Sequence, residues 1–99
     1  MSPSILRRRL VDVSERIKRM RAELGVTEEQ LGFLEEEAES SRLRVLVAET
    51  PLAEAEARET RRHADAMARQ RDVLVRSISE LQREQDDLLD RMAAELAPR

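Results

Sequence analysis

Residues 45–53 read Val-Leu-Val-Ala-Glu-Thr-Pro-Leu-Ala, and the Thr50-Pro51 pair within them decides the fold. Proline removes a backbone donor and biases the preceding residue away from the α region, so a helix arriving from the N-terminal side should stop here. The same pair suits the start of a new helix, with Thr50 as N-cap and Pro51 at the first position.

Working back from the turn, apolar residues recur at alternating steps of three and four. From the N-terminal end the seam reads Leu6, Leu10, Val13, Ile17, Met20, Leu24, Thr27, Leu31, Leu34, Ala38, Ser41, Val45 and Ala48, the a/d pattern of a coiled coil. Ser2-Pro3 supplies an N-cap and first helical residue. Gly25 followed by Thr27-Glu28-Glu29-Gln30 could read as a stop and a capping box. The seam keeps its phase across this segment, which favours one continuous helix with a soft point at Gly25. Beyond the turn a second seam runs through Ala53, Ala57, Thr60, Ala64, Met67, Arg71, Leu74, Ile78, Leu81, Gln85, Leu88 and Met92. Continuing the first phase would have required residues 52 and 55, so the slip marks a real break.

The expected fold is therefore all-α, an antiparallel two-helix coiled-coil hairpin in one domain over residues 1–99. Helix one should span about 3–49, the turn 50–51, and helix two about 52–96. Folding back pairs small residues near the turn, Ala48 with Ala53 and Ser41 with Thr60, then larger ones beyond it. Leu34 should meet Met67, Met20 meet Leu81, Val13 meet Leu88 and Leu10 meet Met92. Charge supports this register: Arg21 is expected near Glu80, Glu39 near Arg62, and Arg7, Arg8 and Arg9 near Asp86, Asp87 and Asp90.

Composition agrees. One Phe with no Trp or Tyr, and 39% charged residues, leave material only for a thin seam. There is no cysteine, hence no disulfide or thiolate metal site. No apolar run approaches the roughly 20 residues that span a bilayer, and the start of the chain lacks a signal-peptide core, so the expected location is cytoplasmic.

Catalytic, cofactor and metal sites are not expected. His63, the single histidine, has only Glu59 and Glu56 as neighbouring ligand types, and a two-helix rod offers no concave, desolvated site. The chain is read as a non-enzyme. The basic first quarter (Arg7, Arg8, Arg9, Arg16, Lys18, Arg19, Arg21) could contact phosphates, but net charge is −3 and stacking aromatics are absent. Nucleic acid is not an expected partner.

Two apolar surfaces are left over by the seam. Val26 and Phe33, with Ala68 and Val75, form an expected self-association stripe that would pair two hairpins into a four-helix bundle. Around the turn, Leu43, Leu46, Val47 and Leu52 with Glu49 and Glu54 form an expected partner-binding tip. Three polar seam residues, Arg71, Gln85 and Ser41, are read as register-setting.

In its whole-chain character, Arg-rich with Lys18 the single lysine, the sequence resembles short coiled-coil proteins of actinobacteria. It is similar in part to the coiled-coil, cyclic-di-GMP-dependent anti-sigma factors, whose helix motif runs Glu-x3-Ser-x2-Arg-x3-Gln-x3-Asp. Glu37, Ser41 and Arg44 match the first half, while Ala48 and Leu52 stand where Gln and Asp belong. A hairpin with an acidic tip also resembles in outline the coiled-coil factors that enter the RNA polymerase secondary channel. The leading functional expectation is a non-catalytic coiled-coil interaction module, homodimeric and associated with transcription, that binds a protein partner. The alternative is an anti-sigma-like regulator responding to a nucleotide second messenger. A secondary-channel-type factor is third.

Overall fold

The computed structural model describes residues 2–98. It contains two α-helices, α1 (Pro3–Ala48) and α2 (Pro51–Leu96), folded as an all-α hairpin. Ser2 caps α1: its Oγ accepts from the Ile5 N–H at 3.3 Å and its carbonyl from the Leu6 N–H at 3.0 Å. α1 continues through Gly25, whose φ is not positive, and an added Cβ there would have nothing within 4 Å. The capping-box residues that follow it therefore sit inside a helix.

The connection lies one residue earlier than the turn expected at 50–51. Glu49 adopts φ 47°, the left-handed conformation that commonly terminates helices, while its N–H still donates to the Val45 carbonyl at 3.0 Å. Thr50 then caps α2, with Oγ1 accepting from the Ala53 N–H at 3.1 Å. Pro51 is the first helical residue, where its missing N–H costs nothing because that donor has no intrahelical partner. Glu54 in the first turn is favourably placed against the helix dipole.

The chain divides into two compact units, Met1–Glu23 with Leu74–Arg99, here the termini unit, and Leu24–Val73, the turn unit. Within each, a length of α1 runs antiparallel to a length of α2. The termini unit holds a cluster of Leu6, Val13, Ile17, Leu81 and Leu88, flanked by half-buried Leu10, Met20 and Met92. Gln85 Nε2 donates to Ser14 Oγ at 3.0 Å beside it. In the turn unit the buried residues are Thr27, Leu31, Ala38, Ser41, Ala53 and Ala64. Of the seam positions read from the sequence, Ala48 alone is exposed.

The register places Glu39 and Arg62 in one groove, as expected, but most carboxylates take a partner on their own helix: Glu39 binds Arg42, Arg62 binds Glu59 and Asp87 binds Arg91. Arg21 makes no ion pair among the described residues. The reason is proximity, since a residue three or four positions away on the same helix is nearer than one across the seam. Arg9–Glu84 at 3.7 Å and Arg61–Glu35 at 2.7 Å do cross between helices.

Candidate functional site

The turn unit has a seam of small residues and an unusual exposed surface. Leu43, Leu46, Val47 and Leu52 are 49%, 65%, 89% and 76% exposed, although the seam beneath them is built from Ser41, Val45, Ala48 and Ala53. Such a seam closes without them, so burial within the chain does not account for four large aliphatics. They border two shallow grooves. One, of about 460 Å³, is lined by Leu43, Arg44, Val47, Leu52, Ala53 and Glu56. The other, of about 300 Å³, is lined by Arg42, Val45, Leu46, Glu54, Ala57 and Arg58. Both mix aliphatic walls with charges of both signs. Glu49 follows the last residue of α1 and Glu54 lies in the first turn of α2, so both expected acidic neighbours stand at this head.

At 100° per residue, residues that immediately follow a seam position face one flank, and residues that immediately precede one face the other. The first flank is charged. Arg61 bridges Glu35 and also Asp65 at 3.0 Å, Arg42 holds Glu39 through two hydrogen bonds, and Arg58 stands beside them without an ion-pair partner among the described residues. Hydrogen bonding to Arg42 holds the Glu39 carboxyl below its ordinary range, and Arg62, then His63, does the same for Glu59. The Arg61 guanidinium is raised by its hydrogen bond to Glu35. The groove here, of about 450 Å³, is lined by Arg42, Arg58, Arg61 and Arg62 over Ala38 and Ala57. Three of its four arginines are neutralised by carboxylates, which leaves little net attraction for an anion.

The second flank differs. In the half away from the turn, Val26, Gln30 and Phe33 on α1 and Ala66, Gln70 and Val73 on α2 precede seam residues and none is charged; nearer the turn the same flank carries Glu37, Arg44, Glu56 and Glu59. Phe33 is 64% exposed and Val26 56%. Between the helices lies a groove of about 510 Å³ lined by Leu34, His63, Ala66, Met67 and Gln70.

The four self-association residues do not come together. Val26 and Phe33 belong to this second flank, whereas Ala68 follows Met67 and faces the Arg61–Glu35 flank. Val75 is half exposed and belongs to the termini unit. Ala66, Gln70 and Val73 are the residues the seam reading passed over. Their signal was the absence of charge at successive positions preceding the seam in a highly charged chain.

Of the three residues shared with the anti-sigma motif, Ser41 is 1% exposed and its Oγ accepts from Arg44 Nη2 at 2.9 Å. His63 Nε2 lies 3.0 Å from Glu59 Oε1. Among the described residues no group of three or more His, Cys, Asp or Glu side chains is arranged to hold a metal ion, and no helix is long and apolar enough to cross a membrane.

Fold and surface together define a two-helix hairpin protein with unpartnered apolar surface on its turn unit. No known protein family, curated protein or solved structure matches the chain.

Proposed function

We propose that this chain is a non-catalytic interaction module that self-associates and binds a protein partner through its turn. One observation carries the reading: Leu43, Leu46, Val47 and Leu52 are exposed around a turn whose own seam is closed by Ser41, Val45 and Ala53. Large aliphatics on a shallow surface with charged neighbours are the material of a protein interface, whose apolar centre excludes water and whose polar rim sets orientation. The grooves are open, with aliphatic walls and charges of both signs at their edges, which suits a docking surface better than a reaction centre.

The test uses the full chain and a double variant, L43E/L46E, whose side chains are exposed and whose helical fold is checked by circular dichroism. A partner captured from the native cell extract is purified and titrated against both. Binding weakened by roughly a hundredfold or more in the variant supports the reading, since interface centres carry most of the binding energy. Equal binding by both chains removes the turn from the interface.

A further inference from the structure

The Phe33 flank of the turn unit can be assigned an occupant. We infer that it is a second copy of this chain, packed with its turn pointing the same way, α1 of one copy lying along α2 of the other. The inference deepens the self-association part of the proposed function and rests on it.

The flank is self-complementary under one symmetry operation. A two-fold axis parallel to the helices keeps every residue at its own level along the unit and exchanges α1 for α2 in the facing copy. The levels are given by the shared grooves: Leu34 lies with Ala66, Met67 and Gln70, Arg44 with Glu56, and Val47 with Leu52. Under that rotation Phe33 is carried to the groove between Leu34 and Met67 of the second copy. Val47 is carried to Leu52 of the second copy, two side chains that are each more than three-quarters exposed in the single chain.

Charge agrees at the level between these two apolar contacts. Arg44 and Glu56 line one groove yet form no ion pair with each other; Arg44 spends its Nη2 on Ser41, and Glu56 has no ion-pair partner among the described residues. The rotation sets Arg44 of each copy against Glu56 of the other, twice in a dimer. Next to Phe33 the flank presents Gln30 and Gln70; its nearest charges are Glu59, which Arg62 and His63 hold, and Glu37, which the rotation brings to the level of His63 of the second copy.

Size sets the expected strength. The flank from Val26 to Val47 is about 32 Å long at 1.5 Å per residue and two helices wide, an envelope of roughly 600 Å². A standard stable interface uses about 800 Å² per partner. The dimer should therefore dissociate on dilution.

Sedimentation equilibrium over a range of concentrations, with F33E, R44E and E56R chains and an equimolar R44E plus E56R mixture, tests the assignment. Wild type should show a reversible monomer–dimer equilibrium, and F33E should weaken it roughly tenfold or more. R44E and E56R should each weaken it alone, and their mixture should restore dimer, because each copy then meets the opposite charge across the interface. Ion pairing inside one chain cannot produce that restoration. The chain has no cysteine, so mixing V47C and L52C chains under mild oxidation reads orientation directly: a mixed disulfide is expected. Wild type that stays monomeric at every concentration overturns self-association itself. A dimer indifferent to F33E, without charge rescue or mixed disulfide, overturns the flank assignment while leaving self-association standing. Partner binding at the turn is judged separately with L43E/L46E, since neither residue precedes a seam position on this flank.

Discussion

The two units are made from the same two helices and the same heptad, yet they are filled differently. In the termini unit the seam carries Leu6, Val13, Ile17, Leu81 and Leu88, all nearly inaccessible. In the turn unit Leu31 is the one large aliphatic among the buried seam residues, which are otherwise Thr27, Ala38, Ser41, Ala53 and Ala64, and Leu43, Leu46, Val47 and Leu52 sit outside. A fully buried leucine contributes about 1.5–3 kcal/mol of transfer free energy, whereas alanine brings little. The termini unit therefore supplies most of the hydrophobic stabilisation. In the turn unit small residues close the seam, and apolar surface is left for other molecules. A two-helix hairpin has no interior beyond its seam, so apolar side chains off the seam are exposed by necessity.

The difference can be broken hardest at Leu88, 2% exposed in the termini cluster. L88A should cost about 3 kcal/mol in urea unfolding, within the range for buried leucines; L52A, on the exposed turn, should change stability by no more than about 0.5 kcal/mol. Equal losses would mean that the two units are filled alike. A smaller effect of the opposite kind is expected at Ala64, which is 0% exposed. If the turn seam is closed by small residues, A64L should destabilise by roughly 1–3 kcal/mol through overpacking, and a gain in stability would show a void there instead.

Gly25 and Gly32 sharpen the comparison from the stabilising side. Both lie within α1 of the turn unit, neither has positive φ, and a Cβ at either meets nothing within 4 Å. G25A and G32A should each raise stability by about 1 kcal/mol in thermal or urea unfolding. A loss at either position would point to a close approach absent from the single chain.

The smallest effect is electrostatic. Arg42 and Arg62 lower the carboxyls of Glu39 and Glu59 below the ordinary range. A carboxyl depressed in the folded state contributes stability above its unfolded pKa, and that contribution is lost as pH falls through the folded value. The melting difference between wild type and R42A/R62A should thus be small at pH 7 and vanish toward pH 3. These pairs are exposed and screened, so added salt should also narrow the difference. A difference that grows on acidification contradicts the sign.

Much of this fold was legible in the chain. Thr50-Pro51 announced the break because proline cannot continue a helix from the preceding side, and the seam phase through Gly25 announced that α1 would not stop there. The left-handed Glu49 was not legible, since any residue beside Thr50-Pro51 could have ended α1. Ion-pair partners were not legible either, because Glu39 had both Arg42 and Arg62 within plausible reach and only side-chain placement chose. The expected stripe joined Phe33 to Ala68 by level along the hairpin and overlooked the rotation between them. One precedes a seam residue and the other follows one, which sets them on opposite flanks.

By itself, then, the sequence determined the helices, the break between them and the seam, because proline chemistry and a repeat of three and four residues act locally and need no partner. Tertiary structure decided which charges neutralise one another, which residues of the two helices share a flank, and which aliphatics at the turn remain in water. Those properties belong to the spatial arrangement of two helices, and a single helix does not contain them.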